Sequence, residues 1–159
     1  MKLPSISIVV LSVIAAACNS TSQRQEEGRN DNGKGPRVEL VDQKTDQKVD
    51  VMIDGKLFTS YCYSDSLMKQ ILYPIYTVGG HFLTRGWPIK PRQGEHTDHP
   101  HQRGMWLNYG DVNGYDFWGN SYAIPPKVRE TQKGSIKHIK IEKLSSGNGA
   151  GTLVTDESW

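Results

Sequence analysis

The chain has 159 residues, 36% of them hydrophobic, with 19 basic and 17 acidic side chains and a formal charge of +2. A balance this close to neutral gives no electrostatic reason to hold nucleic acid, which demands a clustered basic face, so no nucleic-acid partner is expected. Only two cysteines are present, Cys18 and Cys62.

Residues 1–17 read as a signal peptide: Lys2 supplies the positive start, and Leu3 to Ile14 form a short apolar stretch broken by Pro4 and serines. Ala15-Ala16-Ala17-Cys18 then puts small side chains before a cysteine, the pattern a lipoprotein signal peptidase cuts to leave Cys18 as an acylated first residue. The alternative of a spanning helix fails, because crossing a bilayer takes ~20 predominantly apolar residues and this run stops at Ala17. The expectation is an exported chain, lipid-anchored through Cys18 to a bacterial membrane on the periplasmic side or cell surface. Acylation of Cys18 leaves Cys62 without a partner, so no internal disulfide is expected and Cys62 reads as a small buried hydrophobe.

Asn19 to Pro36 contains no aliphatic or aromatic residue. It cannot bury enough surface to offset its ordering entropy and is expected to be a disordered tether spanning ~25 Å as a coil. Residues 37–159 remain for one domain, long enough to bury a core.

Within that domain apolar residues recur every second position. Val49, Val51 and Ile53 alternate with polar neighbours, Asp54-Gly55 interrupts, and Leu57 to Tyr63 resumes. Asp-Gly between two such runs is a strong hairpin signal and pairs Lys48–Ile53 with Lys56–Tyr63. Ile71 to Thr77 reads as a strand that Pro74 pushes to a sheet edge or a bulge. Phe82–Arg85 and Met105–Tyr109 read as short strands flanking a long segment, Gly86 to Gly104, of the kind that is usually functional. Lys137–Leu144 and Thr152–Trp159 read as strands around a turn-rich stretch, the last as a strand in progress without a following partner, as if the domain were cut off. No stretch has a convincing amphipathic helical pattern. The expected fold class is therefore all-β, an antiparallel β-sandwich, incomplete at its C-terminal end.

Four of the five histidines fall between His81 and His101, three of them in His96-Thr97-Asp98-His99-Pro100-His101. Pro100 favours extended backbone at His99, which would turn the His99 and His101 imidazoles to one face. With a carboxylate from Asp98, Glu95 or Asp111 they could form a two-histidine, one-carboxylate metal site, and a divalent transition metal is the cofactor this implies. Imidazoles beside a carboxylate equally suit proton transfer, and the cluster could also serve only to hold its loop by hydrogen bonds.

Aromatic residues crowd the following stretch: Trp106, Tyr109, Tyr115, Phe117, Trp118 and Tyr122. Rings beside Asn, Asp and Arg suit a sugar-binding cleft, since a pyranose offers one apolar face and a rim of hydroxyls. Trp106 and Phe117 read better as core. Asp111, Asn113 and Asp116 mimic the start of a calcium loop, but the glycine is at the fourth position and Tyr122 replaces the bidentate glutamate, so the reading fails. Asp111 to Gly114 reads as a tight turn with Asn113-Gly114 in left-handed backbone.

Tyr73-Pro74, Thr84-Arg85-Gly86, Glu95, Asp98-His99-Pro100-His101, Arg103-Gly104, Trp106, Gly110 to Gly114 and Asp116-Phe117-Trp118 resemble, in order, the signature of a bacterial family labelled methane oxygenase PmoA. Gln102 stands where its members usually carry another histidine, and they continue beyond the length of this chain. The resemblance implies a sandwich of the sort shared with sugar mutarotases, in exported lipoproteins of glycan-digesting bacteria. It does not imply methane oxidation, because the chain after Cys18 has no apolar stretch able to cross a bilayer.

Together these features point to a carbohydrate-handling protein, with rivals in a metal-dependent oxygenase or isomerase using His96, His99 and His101, a non-catalytic glycan-binding lipoprotein, and an inactive truncated product. The candidate reaction residues are His99, His101, Arg103 and Asp111. The candidate substrate contacts are Arg85, Glu95, Trp106, Asn113, Asp116 and Trp118.

Overall fold

The computed structural model describes residues 35–159; the expected signal peptide, Cys18 and the tether up to residue 34 lie outside them. The described elements are strands β1 (Arg37–Gln43), β2 (Lys48–Ile53), β3 (Lys56–Cys62) and β4 (Ile71–Ile75), helix α1 (Pro126–Gln132), and strands β5 (Lys137–Ser145), β6 (Gly147–Asn148) and β7 (Thr152–Ser158). They form a five-stranded sheet in the order β4-β3-β2-β1-β6 and a two-stranded sheet of β5 and β7. Every strand pair is antiparallel. The fold is all-β and sandwich-like.

The β2–β3 hairpin closes as its sequence dictates. Ile53 pairs with Lys56 across two residues, and Asp54 (φ 48°) and Gly55 (φ 74°) both take left-handed backbone, the twist-matched geometry of a two-residue hairpin turn. β4, with Pro74 inside it, lies at the sheet edge, and the β3–β4 register shifts between Thr59 and Tyr61. The missing proline donor therefore interrupts no inner ladder.

Several expectations need correction. Phe82–Arg85 and Met105–Tyr109 form no strands; each touches the β4 region through one bridge, Tyr76 to Phe82 and Leu72 to Met105. The Phe82 ring is turned into a cluster, edge-on to Tyr73 and Tyr76 at 5.8 and 5.1 Å, and Gly104 (φ 58°) bends the chain against the Leu72 carbonyl. Both contacts compete with extension. β1 and β6 add to the expected strands. The short α1 was not expected, and since none of its residues is buried it has no apolar stripe to announce it. β7 is paired, to β5, from Ser145–Thr152 to Lys137–Ser158.

The two sheets meet through aromatic and polar contacts. The Tyr61 hydroxyl donates to Glu157 Oε1 at 2.7 Å and lies 3.2 Å from His138 Nδ1, while the Tyr63 and His138 rings stack at 4.3 Å. Burial, then the Glu157 bond, pushes the Tyr61 phenol far above its usual range. The buried core is small: Val49, Tyr61, Ile71, Tyr73, Phe117 and Ile136. Cys62 is a free thiol, half-buried, donating to the Tyr73 carbonyl at 3.4 Å.

A Cβ at Gly55 would meet nothing within 4 Å, so its replacement isolates the backbone cost. Gly55→Ala should lower unfolding stability by ~1 kcal/mol, read from urea denaturation; an unchanged midpoint would refute the left-handed turn.

Candidate functional site

The segment from Gly86 to Gly104 has no strand or helix, so its backbone groups take their partners from side chains or water. Glu95 does much of this: its carboxylate accepts from the amides of Gly86 (2.8 Å), Trp87 (3.1 Å) and Arg92 (3.2 Å), and from Arg92 Nε (2.8 Å). The Gly86 bond first, then the Arg92 side chain, hold its pKa at about 2 in spite of partial desolvation. Only glycine fits at Gly86, because a Cβ there would stand 2.8 Å from Glu95 Oε2 and closer still to the Lys90 carbonyl. Glu95, expected to touch substrate, instead organises the loop.

Arg85 is likewise turned inward. Its guanidinium donates to Asp98 Oδ1 (2.8 Å) and to the carbonyls of Asp98 (3.1 Å), His99 (3.1 Å) and Gln102 (3.3 Å). The clamp draws the loop into a turn, closed by the Gln102 amide on the His99 carbonyl at 2.9 Å. His99 is left-handed (φ 46°), not extended as Pro100 led one to expect; the fourfold donation by Arg85 offsets a backbone state costing about 1–3 kcal/mol.

The two imidazoles nevertheless converge. Their ring centres lie 5.7 Å apart, nearly edge to face. Asp98 Oδ2 lies 2.7 Å from His99 Nδ1. The His99 bond, and secondly Arg85, hold the Asp98 carboxyl below its ordinary pKa; an ionised carboxylate only accepts, so Nδ1 carries the proton and Nε2 is left open. His101 is pushed below its usual range by burial and then by the nearby charge of Lys69, which keeps its ring neutral at pH 7.

Lys69 was not among the expected site residues. It is 4% exposed, and its ammonium donates to the carbonyls of Phe117 (3.0 Å) and Trp118 (2.6 Å). With the Asn108 amide turned so that its oxygen faces the donors, that oxygen accepts from Lys69 Nζ at 2.9 Å and Trp106 Nε1 at 2.6 Å. Burial lowers the Lys69 pKa to about 8, with Asp116 opposing. The available sequence signal is alternation: Lys69, Ile71 and Tyr73 are spaced two apart and all are buried. Lys69, His101, Arg103 and Asn120 line one small recess.

Of the other expected residues, Arg103 is half-buried, its Nε donating to the Pro100 carbonyl at 3.2 Å and its guanidinium 5.7 Å from the Tyr122 ring. Asp116 Oδ1 caps the amides of Trp118 (2.8 Å) and Gly119 (2.9 Å) while Oδ2 pairs with Lys133. Partial burial raises its pKa, but Lys133 and the Gly119 amide outweigh this and hold it below the ordinary carboxylate value. Asp111 and Asn113 are exposed in a turn: the Gly114 amide donates to Asp111 Oδ1 at 2.9 Å, and Asn113 is left-handed (φ 54°). Neither has a contact with the histidines, so the reaction role expected of Asp111 gains no geometry. Trp118 is 48% exposed, edge-on to half-buried Trp106 at 6.1 Å, while Phe117 is core. His96 is exposed. Among the described residues no three His, Cys, Asp or Glu side chains gather as a ligand set, so His96, His99 and His101 are not assembled around one metal position.

A separate cleft of about 540 Å³ runs between β4, Trp106, Leu107 and β7. Its acid, Glu157, is already engaged by Tyr61, and the histidine loop lies outside its lining.

The fold and loop thus define an all-β domain presenting a paired-histidine turn. Residues 48–159 match the model of a family of unknown function, DUF6807, and the chain belongs to that family. Neither a curated protein nor a solved structure matches it.

Because the folded pKa of Glu95 lies below its ordinary 4.5, its contribution to loop order is complete above that value and is lost as pH falls toward about 2. The amide NMR shifts of Gly86 and Trp87 should therefore titrate with a midpoint near 2; a midpoint near 4.5 would show that the carboxylate does not hold them.

Proposed function

We propose that this is an exported, lipid-anchored protein that handles carbohydrate, binding or modifying a sugar at the His99–His101 turn. One observation carries the reading: an imidazole oriented by a carboxylate, 5.7 Å from a second imidazole, on a turn that Arg103 joins to the exposed Tyr122 ring. Asp98 fixes His99 with Nε2 available, and neutral His101 can accept a proton, so the pair suits general acid and base roles on a hydroxyl-bearing ligand. Trp118 and Tyr122, 48% and 51% exposed, offer faces on which a pyranose ring can stack. Arg103 reaches both the loop, at Pro100, and Tyr122. The ordered motif residues similar to proteins labelled PmoA lend this reading support, without the oxygenase activity of that label.

Calorimetric titration with a panel of mono- and oligosaccharides tests it. A sugar should bind, Trp118→Ala should weaken binding about tenfold or more through loss of stacking, and His99→Ala should abolish any turnover. Binding that survives His101→Ala with no turnover by the native chain would favour a sugar-binding protein without catalysis. No binding across the panel would overturn the reading.

The anchoring half rests on Ala15-Ala16-Ala17-Cys18. In a bacterial host, a radiolabelled fatty acid should be incorporated into the native chain and not into Cys18→Ser; equal labelling of both would rule out lipidation at that position.

A further inference from the structure

Tyr122 stands at the meeting point of two guanidinium groups: Arg103 lies 5.7 Å and Arg129 5.1 Å from its ring centre. Neither arginine pairs with a carboxylate among the described residues, and neither does buried Lys69. The other side chains facing this region are the Asp116–Lys133 pair and Glu130, which is exposed. Two guanidinium groups are thus left without a carboxylate partner around one exposed phenol, with Lys69 in the recess that Arg103 also lines, in a chain whose overall charge is nearly balanced.

Beside Arg129 lies a pocket of about 290 Å³, lined also by Asn120, Lys133 and Glu130. Two of these lining residues carry buried polar atoms without a partner, the acceptor Asn120 Oδ1 and the donor Arg129 Nε. Asn120 is itself 3% exposed, its amide nitrogen fixed on the Gly134 carbonyl at 2.7 Å and on Ser135 Oγ at 3.0 Å. Buried polar groups ordinarily find partners, so an unmatched donor and an unmatched acceptor at one pocket point to a ligand offering both. Asn120 also lines the recess that holds His101, Lys69 and Arg103, so the pocket adjoins the histidine turn.

We infer that the sugar handled at the histidine turn is an acidic one, a uronic acid or an oligosaccharide containing it, with its carboxylate held by Arg129 and Arg103 around Tyr122. A guanidinium presents paired donors that match a carboxylate, and the surplus of positive charge favours an anion over a neutral sugar. The hydroxyls of the same ring supply the donor that Asn120 Oδ1 lacks. This inference rests on the carbohydrate reading above and adds the charge of the substrate.

The test compares galacturonic acid oligomers with the matching neutral galactose oligomers by calorimetry on the native chain. The acidic series should bind at least about tenfold more tightly at low salt, with the preference shrinking as salt rises. Arg129→Gln should remove that preference, lowering the affinity for the acidic series about tenfold more than that for the neutral series. Because Arg129→Gln could disturb α1, Arg103→Gln provides a second variant, and circular dichroism checks that each is folded. Equal affinity for both series in the native chain overturns the inference while leaving the carbohydrate reading standing. Absence of binding by either series overturns the inference too, and binding of other neutral sugars in the wider panel then decides whether the carbohydrate reading survives. An acidic preference untouched in folded Arg129→Gln and Arg103→Gln also overturns it.

Discussion

The candidate site depends on how the backbone between Gly86 and Gly104 is satisfied without a ladder. Amides and carbonyls outside a ladder take partners from side chains or water, and here two side chains of opposite charge supply them. Glu95 takes three amides at one end of the segment, and Arg85 gives to three carbonyls and a carboxylate at the other. Because an ionised acceptor or donor makes the stronger hydrogen bond, this arrangement can hold His99 in left-handed backbone, and the turn so formed is what brings the two imidazoles together.

A second constraint comes from Lys69. Burying an ammonium is costly unless its hydrogens are all engaged, and the acceptors it finds, Phe117 O, Trp118 O and Asn108 Oδ1, belong to the aromatic stretch. Burial first, and then the same charge that anchors Trp118, push the neighbouring His101 imidazole below its usual range. Packing and proton chemistry are therefore linked through one residue on the approach to β4.

Much of the sheet was legible because its signals are local. The Asp54-Gly55 turn needs left-handed backbone wherever it occurs, and the alternation on either side assigns the two strands. Pro74 similarly pointed to an edge or a bulge, and β4 lies at the edge with a register shift beside it. Phe82 and Met105 show where locality fails: their short runs had strand composition, yet aromatic packing against Tyr73 and Tyr76, and the close approach of Gly104 to Leu72, limited each to a single bridge.

For the site, the amino-acid order by itself determined that histidines, a carboxylate and arginines would share one polar segment next to a run of rings, because composition and spacing along the chain are enough for that. Only the tertiary structure decided their roles. Whether a carboxylate is free for a ligand depends on which amides lie within 3 Å of it, and Glu95, Asp111 and Asp116 were all claimed by backbone. Lys69, Asn120 and Arg129 entered the site through contacts between residues far apart in the chain, and electrostatic interactions at such short range follow distance in space, which periodicity along a chain does not encode.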